Sequence, residues 1–428
     1  MSRAPLDGVR VIELGSFIAG PFAGQLLGDY GAEVVKIEPC DGDAMRRWGL
    51  MRDGQSLWWA QLARNKRSVA VDLRDPRGRD LVRRLAHRAD VVVENFAPGR
   101  LADWGLDYPA LSATNPRLIM AHVSGFGQTG PRAGDRGFGS VGEAMGGIRA
   151  LTGHPDRPPT RVGVSLGDAL AGMFAVTGVL AALQERHRSG RGQEIDVALY
   201  VAVFALMEST LAEHEVAGST RTRTGSTLPG VAPSNVYRAG DGGELLIAAN
   251  GDALFVRLCA AMGVPDLADD PRFATHQARG QNMAELDARI GDWVAGLPLA
   301  EAERLLDEHA VPRGRIYTPA DMLADAHYAA RDMIVRLADP GTGLEIPMPN
   351  VVPKLSRTPG TVRAPGPLLG ADTERVLRDW AGCPEEEIDL LAARGVVRRA
   401  DPSAGESTPP ADTPGEAPAS PPTTAFRR

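Results

Sequence analysis

Short apolar runs alternate with amphipathic stretches along the first half of the chain. The apolar runs are rich in β-branched residues and predict strands at residues 9–14, 33–38, 68–73, 89–94 and 117–123. Between them, residues 20–30 and 77–88 predict helices. Strands that are buried on both faces and separated by helices are typical of a parallel, doubly wound sheet. The first half therefore predicts an α/β fold.

The second half predicts a long helix, a loop and a second αβ unit. The helix at 168–187 ends at a glycine-containing stop signal, and a strand at 194–199 and a helix to about Val216 follow it. Small and polar residues then predominate, which indicates a linker or a functional loop. The later elements are a strand at 244–248 and helices at 253–262, 283–295 and 300–309.

These patterns divide the chain into five parts. They are an N-terminal segment of the larger domain (1–216), a linker or active-site loop (217–233), a smaller α+β domain (234–330), a further strand–loop–helix segment (331–397) and a tail (398–428). The last 28 residues hold seven prolines together with Ser, Thr, Ala and Gly. Such a composition buries too little apolar surface to order itself, so a disordered tail is expected.

Composition and charge exclude several classes of protein. The 428 residues are 43% hydrophobic and 24% charged, which is typical of globular proteins. A formal net charge of −7 argues against nucleic-acid binding. Three scattered cysteines do not suit a disulfide framework or a zinc site. Because the N-terminus lacks an apolar signal region and no stretch approaches 18 apolar residues, we expect a cytoplasmic protein without membrane spans.

Several motifs allow both a functional and a structural interpretation. Residues 125–130 (GFGQTG) match the dinucleotide pattern formally, but a loop follows them where that pattern requires a helix. Residues 15–21 form a small-residue turn before a predicted helix, which suits an anion, although taken alone it favours close packing of the helix on the sheet. Asn95 and Phe96 follow a predicted strand, where an amide and an aromatic ring suit a nucleotide. A turn-forming Asn explains the amide equally well. Asp168 begins a long helix, so an N-cap is the simpler interpretation from the sequence alone.

The ordered set of segments resembles the class III coenzyme A transferases, the family of formyl-CoA transferase and carnitine CoA-transferase. The resemblance covers about residues 5–397. The matching segments are 5–14 (PLDGVRVIEL), 19–21 (AGP), 31–38 (GAEVVKIE), 65–68 (NKRS), 89–99 (ADVVVENFAPG), 125–131 (GFGQTGP), 167–168 (GD), 189–193 (SGRGQ), 358–360 (TPG) and 368–370 (LLG).

The resemblance implies a catalytic aspartate and a CoA site. Asp168 would attack the donor thioester, form a mixed anhydride and then an aspartyl-CoA thioester, and the helix N-terminus would keep it ionised. The implied CoA-binding residues are Ile18, Ala19, Val71, Asp72, Leu73, Arg74, Asn95, Phe96, Ala97, Arg100, Arg136, Gly137, Phe138 and Gly139. Two arginines of the family are replaced by Pro39 and Asp103, and Arg100 is the expected substitute for the second.

The resemblance also bears on the substrates. Formyl-CoA transferase has a glycine-run loop, and here the corresponding segment has few glycines, which argues against oxalate as the acceptor. We expect a dicarboxylate acceptor such as succinate, malate, citramalate or a glutarate, with succinyl-CoA or a similar donor. The expected substrate loop contains Gly225, Ser226, Thr227 and Gly230, with Arg221 and Arg223 beside it.

Assembly and alternative functions follow from the same resemblance. It implies an interlocked, ring-like homodimer with a Rossmann-like larger domain that residues 331–397 complete. Acyl-CoA and a carboxylic acid are the expected small-molecule partners, with no metal or permanently bound cofactor. One alternative is an acyl-CoA racemase or isomerase of the same fold, although residues 137–139 lack the His and Asp of that group. A non-catalytic CoA-binding protein is the other.

Overall fold

The computed structural model describes residues 4–400, which form fourteen strands and eighteen α-helices. The strands are β1 Arg10–Glu13, β2 Glu33–Glu38, β3 Met51–Arg52, β4 Gln55–Ser56, β5 Lys66–Val71, β6 Val91–Glu94, β7 Ile119–Ser124, β8 Glu194–Ala198, β9 Ser234–Arg238, β10 Glu244–Ala248, β11 Arg313–Arg315, β12 Ile334–Ala338, β13 Glu345–Pro349 and β14 Val397–Arg398.

The helices differ widely in length, from four residues to the 24 residues of α8. They are α1 Ala19–Asp29, α2 Leu57–Leu62, α3 Pro76–His87, α4 Arg100–Asp103, α5 Tyr108–Ser112, α6 Gly139–Met145, α7 Ile148–Leu151, α8 Leu166–Ser189, α9 Leu199–Phe204, α10 Thr210–Ala217, α11 Asp252–Ala261, α12 His276–Gln281, α13 Met283–Ala295, α14 Leu299–Glu308, α15 Pro319–Ala324, α16 Ala326–Ala330, α17 Thr373–Asp379 and α18 Glu385–Ala393.

Seven strands form the central sheet in the order β14-β5-β2-β1-β6-β7-β8. Every pair is parallel except β14, which runs antiparallel to β5 at one edge. The prediction of an α/β fold with a mostly parallel sheet is confirmed. β1 lies at the switch point, because β2 and β5 extend the sheet on one side and β6 to β8 on the other. Ligands of open α/β sheets bind at such a switch point, beyond the carboxyl ends of the strands.

An apolar layer covers each face of this sheet. Along β1, Val11 faces the layer formed with α1, α8 and α9, and Ile12 faces the layer formed with α3, α17 and α18. This alternation follows from the two-residue period of a strand. The C-terminal helices α17 and α18 therefore pack on the same sheet as the N-terminal strands.

The remaining elements form smaller structures. β9, β10 and β11 make an antiparallel sheet whose apolar core includes residues of α11, α13 and α14. β12 and β13 form a hairpin that shares an apolar cluster with α2. The single helix expected up to Val216 is instead two helices, α9 and α10. Arg398, expected to begin the tail, is paired in β14. The rest of the expected disordered tail, from residue 401 onward, lies outside the described residues.

Helix α8 is more apolar than the sequence analysis expected. An 18-residue window within it has a mean hydropathy of 1.8, so by length and composition it passes the test for a membrane span. The expectation that no stretch reaches this level is wrong. The helix packs on the sheet and on α1, and Gly172 permits the contact, since a Cβ there would lie 2.9 Å from the Ala19 carbonyl oxygen. An apolar helix that packs against a sheet core also passes this test.

Candidate active site

The turn after β1 and the turn after β6 are joined at the switch point of the sheet. The Ser16 amide donates to Oδ1 of Asn95, and Nδ2 of Asn95 donates to the Ser16 carbonyl, both at 2.8 Å. Gly15 is required beside this pair, because a Cβ there would lie 2.7 Å from Oδ1 of Asn95. The Asn95 side chain therefore joins the turns that follow β1 and β6. It has this role in addition to forming a turn of its own.

A cluster of buried charged side chains also contacts the turn between β1 and α1. Nζ of Lys36 lies 2.9 Å from Glu13 and 2.8 Å from Asp43, and it donates to the Gly15 carbonyl at 2.7 Å. Lys66 pairs with the other oxygen of Glu13 at 2.8 Å. Burial alone would raise the pKa of Glu13, but the two lysines outweigh burial and lower it. The cluster thus stays ionised and fixes the backbone of the β1–α1 turn.

Asp168 occupies the third position of α8. Ser165 is the N-cap residue, and the Asp168 side chain makes no capping hydrogen bond. The interpretation of Asp168 as a helix cap is therefore wrong. Among the described residues, no hydrogen bond or ion pair engages its carboxylate. Oδ2 lies so close to Gly139 that a Cβ there would approach it to 2.0 Å. The carboxylate therefore lies directly against the first residue of α6.

Burial and a neighbouring carboxylate act on the ionisation of Asp168. Burial first and the nearby Glu143 carboxylate second raise its pKa to about 6, and Arg161 partly opposes both. The expectation that the helix N-terminus keeps this carboxyl ionised did not include burial and Glu143, which both act against ionisation. Desolvation and like charge both disfavour the ionised form of an acid. Asp168 is thus a carboxylate with few stabilising contacts, as a nucleophile requires.

Glu143 is a site residue that the sequence analysis missed. It lies on α6 and is buried, and Arg149 donates to its Oε2 through Nη2 at 2.9 Å. Its other oxygen accepts a long hydrogen bond from the Gly167 amide, at 3.4 Å. A lone Glu within the sequence GEAM carries no recognisable signal, so only the packing of α6 against the start of α8 reveals it.

The Asp168 cavity, about 380 Å³ in volume, brings most of the expected residues together. It lies beyond the carboxyl ends of β6 and β7 and beside the β1–α1 turn. The expected residues that line it are Ile18, Ala19, Asn95, Phe96, Ala97, Arg136, Gly137, Phe138, Gly139 and Asp168. Phe138 packs edge-on against Phe17, with ring centroids 6.0 Å apart, which connects the 134–139 loop to the first turn.

A second cavity, the Arg74 cavity, contains the other expected strand-end residues. Its volume is about 710 Å³, and Val71, Asp72, Leu73 and Arg74 line it. Phe96 lines both cavities, so they meet at that ring. The Arg74 side chain is bound to Asp72, through Nε at 2.8 Å and Nη2 at 3.0 Å. Its charge is therefore partly neutralised, which the sequence did not indicate.

Some expected residues lie elsewhere. Arg100 lines neither cavity, and its guanidinium lies 5.6 Å from the Trp104 ring centroid and 3.8 Å from Asp103. The structure does not place it as the substitute arginine. Arg221 is engaged by Glu208 and Glu213, so it is not available for a substrate carboxylate.

The expected substrate loop also lies away from the Asp168 cavity in this chain. Gly225, Ser226, Thr227 and Gly230 line neither cavity. The Gly225 amide donates to the Gly153 carbonyl at 2.9 Å, and Ser226 bonds to Asn235 of the smaller sheet. The loop thus connects the 153–154 turn to the β9–β11 sheet.

Gly125, the first glycine of residues 125–130, serves packing. A Cβ on Gly125 would lie 2.4 Å from Cα of Gly137, and the reverse contact is equally close. The two loops therefore touch backbone to backbone, and this contact shapes the floor of the Asp168 cavity. No helix N-terminus follows the motif, as the sequence indicated, so a dinucleotide role has no support.

The chemistry available at this site is that of a nucleophilic carboxylate. Within the described part of the chain, no histidine lines the Asp168 cavity, and its other carboxylate, Asp135, is paired with Arg132 at 2.8 Å. The described residues also contain no group of three or more His, Cys, Asp or Glu side chains arranged for a metal ion. A buried carboxylate at the end of a cavity suits covalent catalysis.

Comparison with known proteins agrees with this chemistry. The family model described as CoA-transferase family III matches residues 6–373. The succinyl-CoA–D-citramalate CoA-transferase of Chloroflexus aurantiacus is 54% identical over 92% of this chain and 98% of its own. The alpha subunit of succinyl-CoA–L-malate CoA-transferase from Chloroflexus aurantiacus is 40% identical over 92% of this chain and 93% of its own.

A solved structure agrees as well. A CAIB/BAIF family protein from Brucella suis is similar with a TM-score of 0.77 and 36% identity. The match covers 89% of this chain and 100% of that one.

Proposed function

This chain belongs to CoA-transferase family III and is a CoA-transferase, and from that premise we propose that it moves CoA from succinyl-CoA to a dicarboxylate through a covalent intermediate on Asp168. The observation that carries the proposal is the Asp168 carboxylate itself. It lies on the wall of a cavity at the switch point of the sheet, without a hydrogen-bond partner among the described residues.

The proposed reaction has four balanced steps. A carboxylate oxygen of Asp168 attacks the thioester carbonyl of succinyl-CoA, which forms a mixed anhydride and releases the CoA thiolate. The thiolate attacks the aspartyl carbonyl, so that an aspartyl-CoA thioester forms and succinate leaves. The acceptor carboxylate displaces the thiolate to give a second anhydride. The thiolate then attacks the acceptor carbonyl, which yields the new acyl-CoA and restores the Asp168 carboxylate.

The environment of Asp168 suits this sequence. A carboxylate with a pKa of about 6 is largely ionised at pH 7, yet it has lost much of the hydration that would weaken it as a nucleophile. The CoA thiolate must remain beside the anhydride between steps. Well-oriented reactants held in a site reach effective molarities of roughly 10⁵ M or more, so retention of CoA favours transfer over its escape.

Two arginines support a dicarboxylate substrate. Arg136 lines the Asp168 cavity, and Arg161 lies close enough to Asp168 to lower its pKa. Nη2 of Arg161 donates to Oγ of Ser165, the N-cap residue of α8, at 3.3 Å. Neither guanidinium pairs with a carboxylate in the described chain. A dicarboxylate keeps one free carboxylate while the other reacts, and we assign Arg161 to that free group.

The names of the relatives favour hydroxylated acceptors. The two relatives described above act on D-citramalate and L-malate, and both use succinyl-CoA. We therefore propose a four- or five-carbon 2-hydroxydicarboxylate as the acceptor. Of the alternatives raised by the sequence, a racemase is disfavoured because no histidine lines the cavity among the described residues and Asp135 is paired with Arg132. A non-catalytic protein does not fit a chain whose relatives are named transferases.

We further propose that a second copy of the chain covers the exposed apolar side chains of helices α8, α9 and α10. Helices α8, α9 and α10 expose large apolar side chains in the single chain, which include Met173, Phe174, Leu180, Val201, Phe204, Leu211 and Val216. An apolar surface of this extent is typical of an interface between proteins. The expected interlocked homodimer would bury it.

A substrate panel tests the proposed function. The protein is incubated with succinyl-CoA and single acids (citramalate, malate, glutarate, oxalate and the monocarboxylate butyrate), and new thioesters are measured by mass spectrometry. We expect thioesters of the dicarboxylates, with citramalate or malate the most rapid. Arg161→Gln should raise the acceptor KM about tenfold, while the neighbouring Arg157→Gln serves as the control. Equal rates with butyrate and malate would contradict the dicarboxylate assignment.

A further inference from the structure

A second guanidinium faces the Arg74 cavity, and it comes from the C-terminal strand. Arg398 lies in β14, where it pairs with Ala70 of β5, and its side chain lines the cavity. The residue lies beyond position 373, at which the family match ends. A family assignment based on that match therefore says nothing about Arg398.

The backbone around Arg398 is firmly held. The Asp72 amide donates to the Val396 carbonyl at 2.8 Å, and Val397 pairs with Val71 and is buried. On the other side, Nη1 of Arg398 donates to the Cys40 carbonyl at 3.2 Å, in the loop after β2. The guanidinium thus lies at the carboxyl ends of β5 and β2, supported by a strand.

The ion pairs around the Arg74 cavity leave the Arg398 guanidinium available to bind an anion. Arg74 is bound to Asp72, and the Glu38 carboxylate is bound to Arg46 at 2.7 and 2.8 Å. No carboxylate in the described chain lies within ion-pair distance of Arg398. The carboxylate of Asp41 at the rim of the cavity is exposed and opposes an anion there. Among the cations of this cavity, Arg398 alone has no carboxylate partner within the described residues.

The two cavities together suit one extended ligand. They share Phe96, so a CoA thioester that reacts at Asp168 extends past that ring into the Arg74 cavity. The CoA nucleotide carries phosphates, and a guanidinium binds phosphate through two parallel hydrogen bonds. We propose that Arg398 binds a phosphate of the CoA nucleotide. This inference rests on the proposed function for the identity of the ligand.

The test compares a full and a truncated donor. Arg398→Gln is measured with succinyl-CoA and with succinyl-pantetheine, which lacks the nucleotide. We expect the KM for succinyl-CoA to rise about tenfold, since a charge-assisted hydrogen bond is worth about 1.5 kcal/mol or more. The kcat and the KM for succinyl-pantetheine should stay close to the wild-type values, because this donor lacks the phosphates that Arg398 would bind. Arg398→Lys should restore part of the affinity.

The neighbouring Arg399→Gln is the matched control. Arg399 pairs with Glu385 and Asp389 on α18 and does not line the cavity, so its loss reports only on the integrity of the C-terminal segment. An unchanged KM for succinyl-CoA in Arg398→Gln would overturn the inference. Equal losses with both donors, or the same loss in Arg399→Gln, would indicate a structural role and overturn it as well.

Direct binding separates this inference from the proposed function. Calorimetric titration with free CoA and with pantetheine needs no turnover. If wild type binds CoA but transfers it from no donor, the proposed function fails, and the titration still decides the role of Arg398. Weaker CoA binding with unchanged pantetheine binding in Arg398→Gln supports the role, and unchanged CoA binding refutes it.

Discussion

The ionisation of Asp168 depends in part on Glu143, a residue that does not line the Asp168 cavity. Burial and the like charge of Glu143 together raise its pKa to about 6. Glu143 itself is held by Arg149. Because only the carboxylate form attacks a thioester, the acid limb of the activity profile should report this pKa directly.

A pH profile tests this coupling. In wild type, kcat/KM for succinyl-CoA should fall below pH about 6. Glu143→Gln removes the like charge and lowers the pKa of Asp168, so the acid limb should move down by roughly one pH unit. Arg149→Gln removes the positive charge that is paired with Glu143, so the acid limb should move to higher pH. If both variants keep the wild-type limb, the group that titrates is not Asp168.

Gly139 controls access to the carboxylate. A Cβ there would lie 2.0 Å from Oδ2 of Asp168, so Gly139→Ala must displace the nucleophile. A misplacement of about 1 Å can reduce a rate about 100-fold, and we expect a kcat loss of that order. Thermal unfolding should show no loss of stability, because alanine favours a helix.

Gly134 offers a matched control for that substitution. It lines the same cavity, but a Cβ there has no neighbour within 4 Å. Gly134→Ala should therefore keep kcat within about twofold of wild type. Similar losses in both alanine variants would show that loop stiffness, rather than contact with Asp168, explains the effect.

At the scale of helices and strands, the position of Asp168 depends on the crossing of α1 and α8. Gly172 lies one turn after Asp168, and a Cβ there would meet the Ala19 carbonyl at 2.9 Å. Backbone cannot rotate away as a side chain can. Gly172→Ala should lower the free energy of unfolding by about 1–3 kcal/mol, as measured by urea denaturation, and should also reduce kcat.

Gly178 on the same helix is the comparison. A Cβ there meets Cγ2 of Ile195 at 2.8 Å, and that side chain can adopt another rotamer. The helix propensity of alanine, about 1 kcal/mol better than glycine, should offset the contact. If Gly178→Ala lowers the free energy of unfolding as much as Gly172→Ala does, the close contact between α1 and α8 does not explain the effect of Gly172→Ala.

The sequence predicted the strands of the sheet better than the loops of the site. β2 occupies the predicted residues 33–38, and α13 the predicted 283–295, because long periodic runs report burial directly. No periodic pattern in the sequence marks Glu143 or Arg398 as a site residue. Their roles depend on which segments meet in space, and no local pattern records that. Asp168 was identified through family resemblance, since its local sequence equally suits a helix cap.

At the scale of the whole molecule, the exposed apolar surface of α8 to α10 is the proposed homodimer interface. Phe204 is 45% exposed in the single chain. Sedimentation should show a dimer of wild type at micromolar concentration, and Phe204→Glu should weaken it, because a buried unpaired charge is costly. Val256→Glu is the control, since Val256 is 54% exposed on α11, in the smaller unit. A monomeric wild type would contradict the proposed homodimer.

The charge of the whole chain and the charge of the site differ. The chain is acidic, with a formal net charge of −7, and yet its proposed ligand is a polyanion. In our proposal, local cations at Arg136, Arg161 and Arg398 reconcile the two. Since exposed charges are screened by salt, the KM for succinyl-CoA should depend on ionic strength more than the KM for succinyl-pantetheine does.

Covalent trapping can show whether Asp168 forms the intermediate. The protein is incubated with succinyl-CoA alone, treated with hydroxylamine, digested and analysed by mass spectrometry. We expect an aspartyl hydroxamate at Asp168 in wild type, no hydroxamate in Asp168→Asn, and no CoA transfer by Asp168→Ala. A hydroxamate on another residue, or transfer that survives Asp168→Ala, would contradict this expectation.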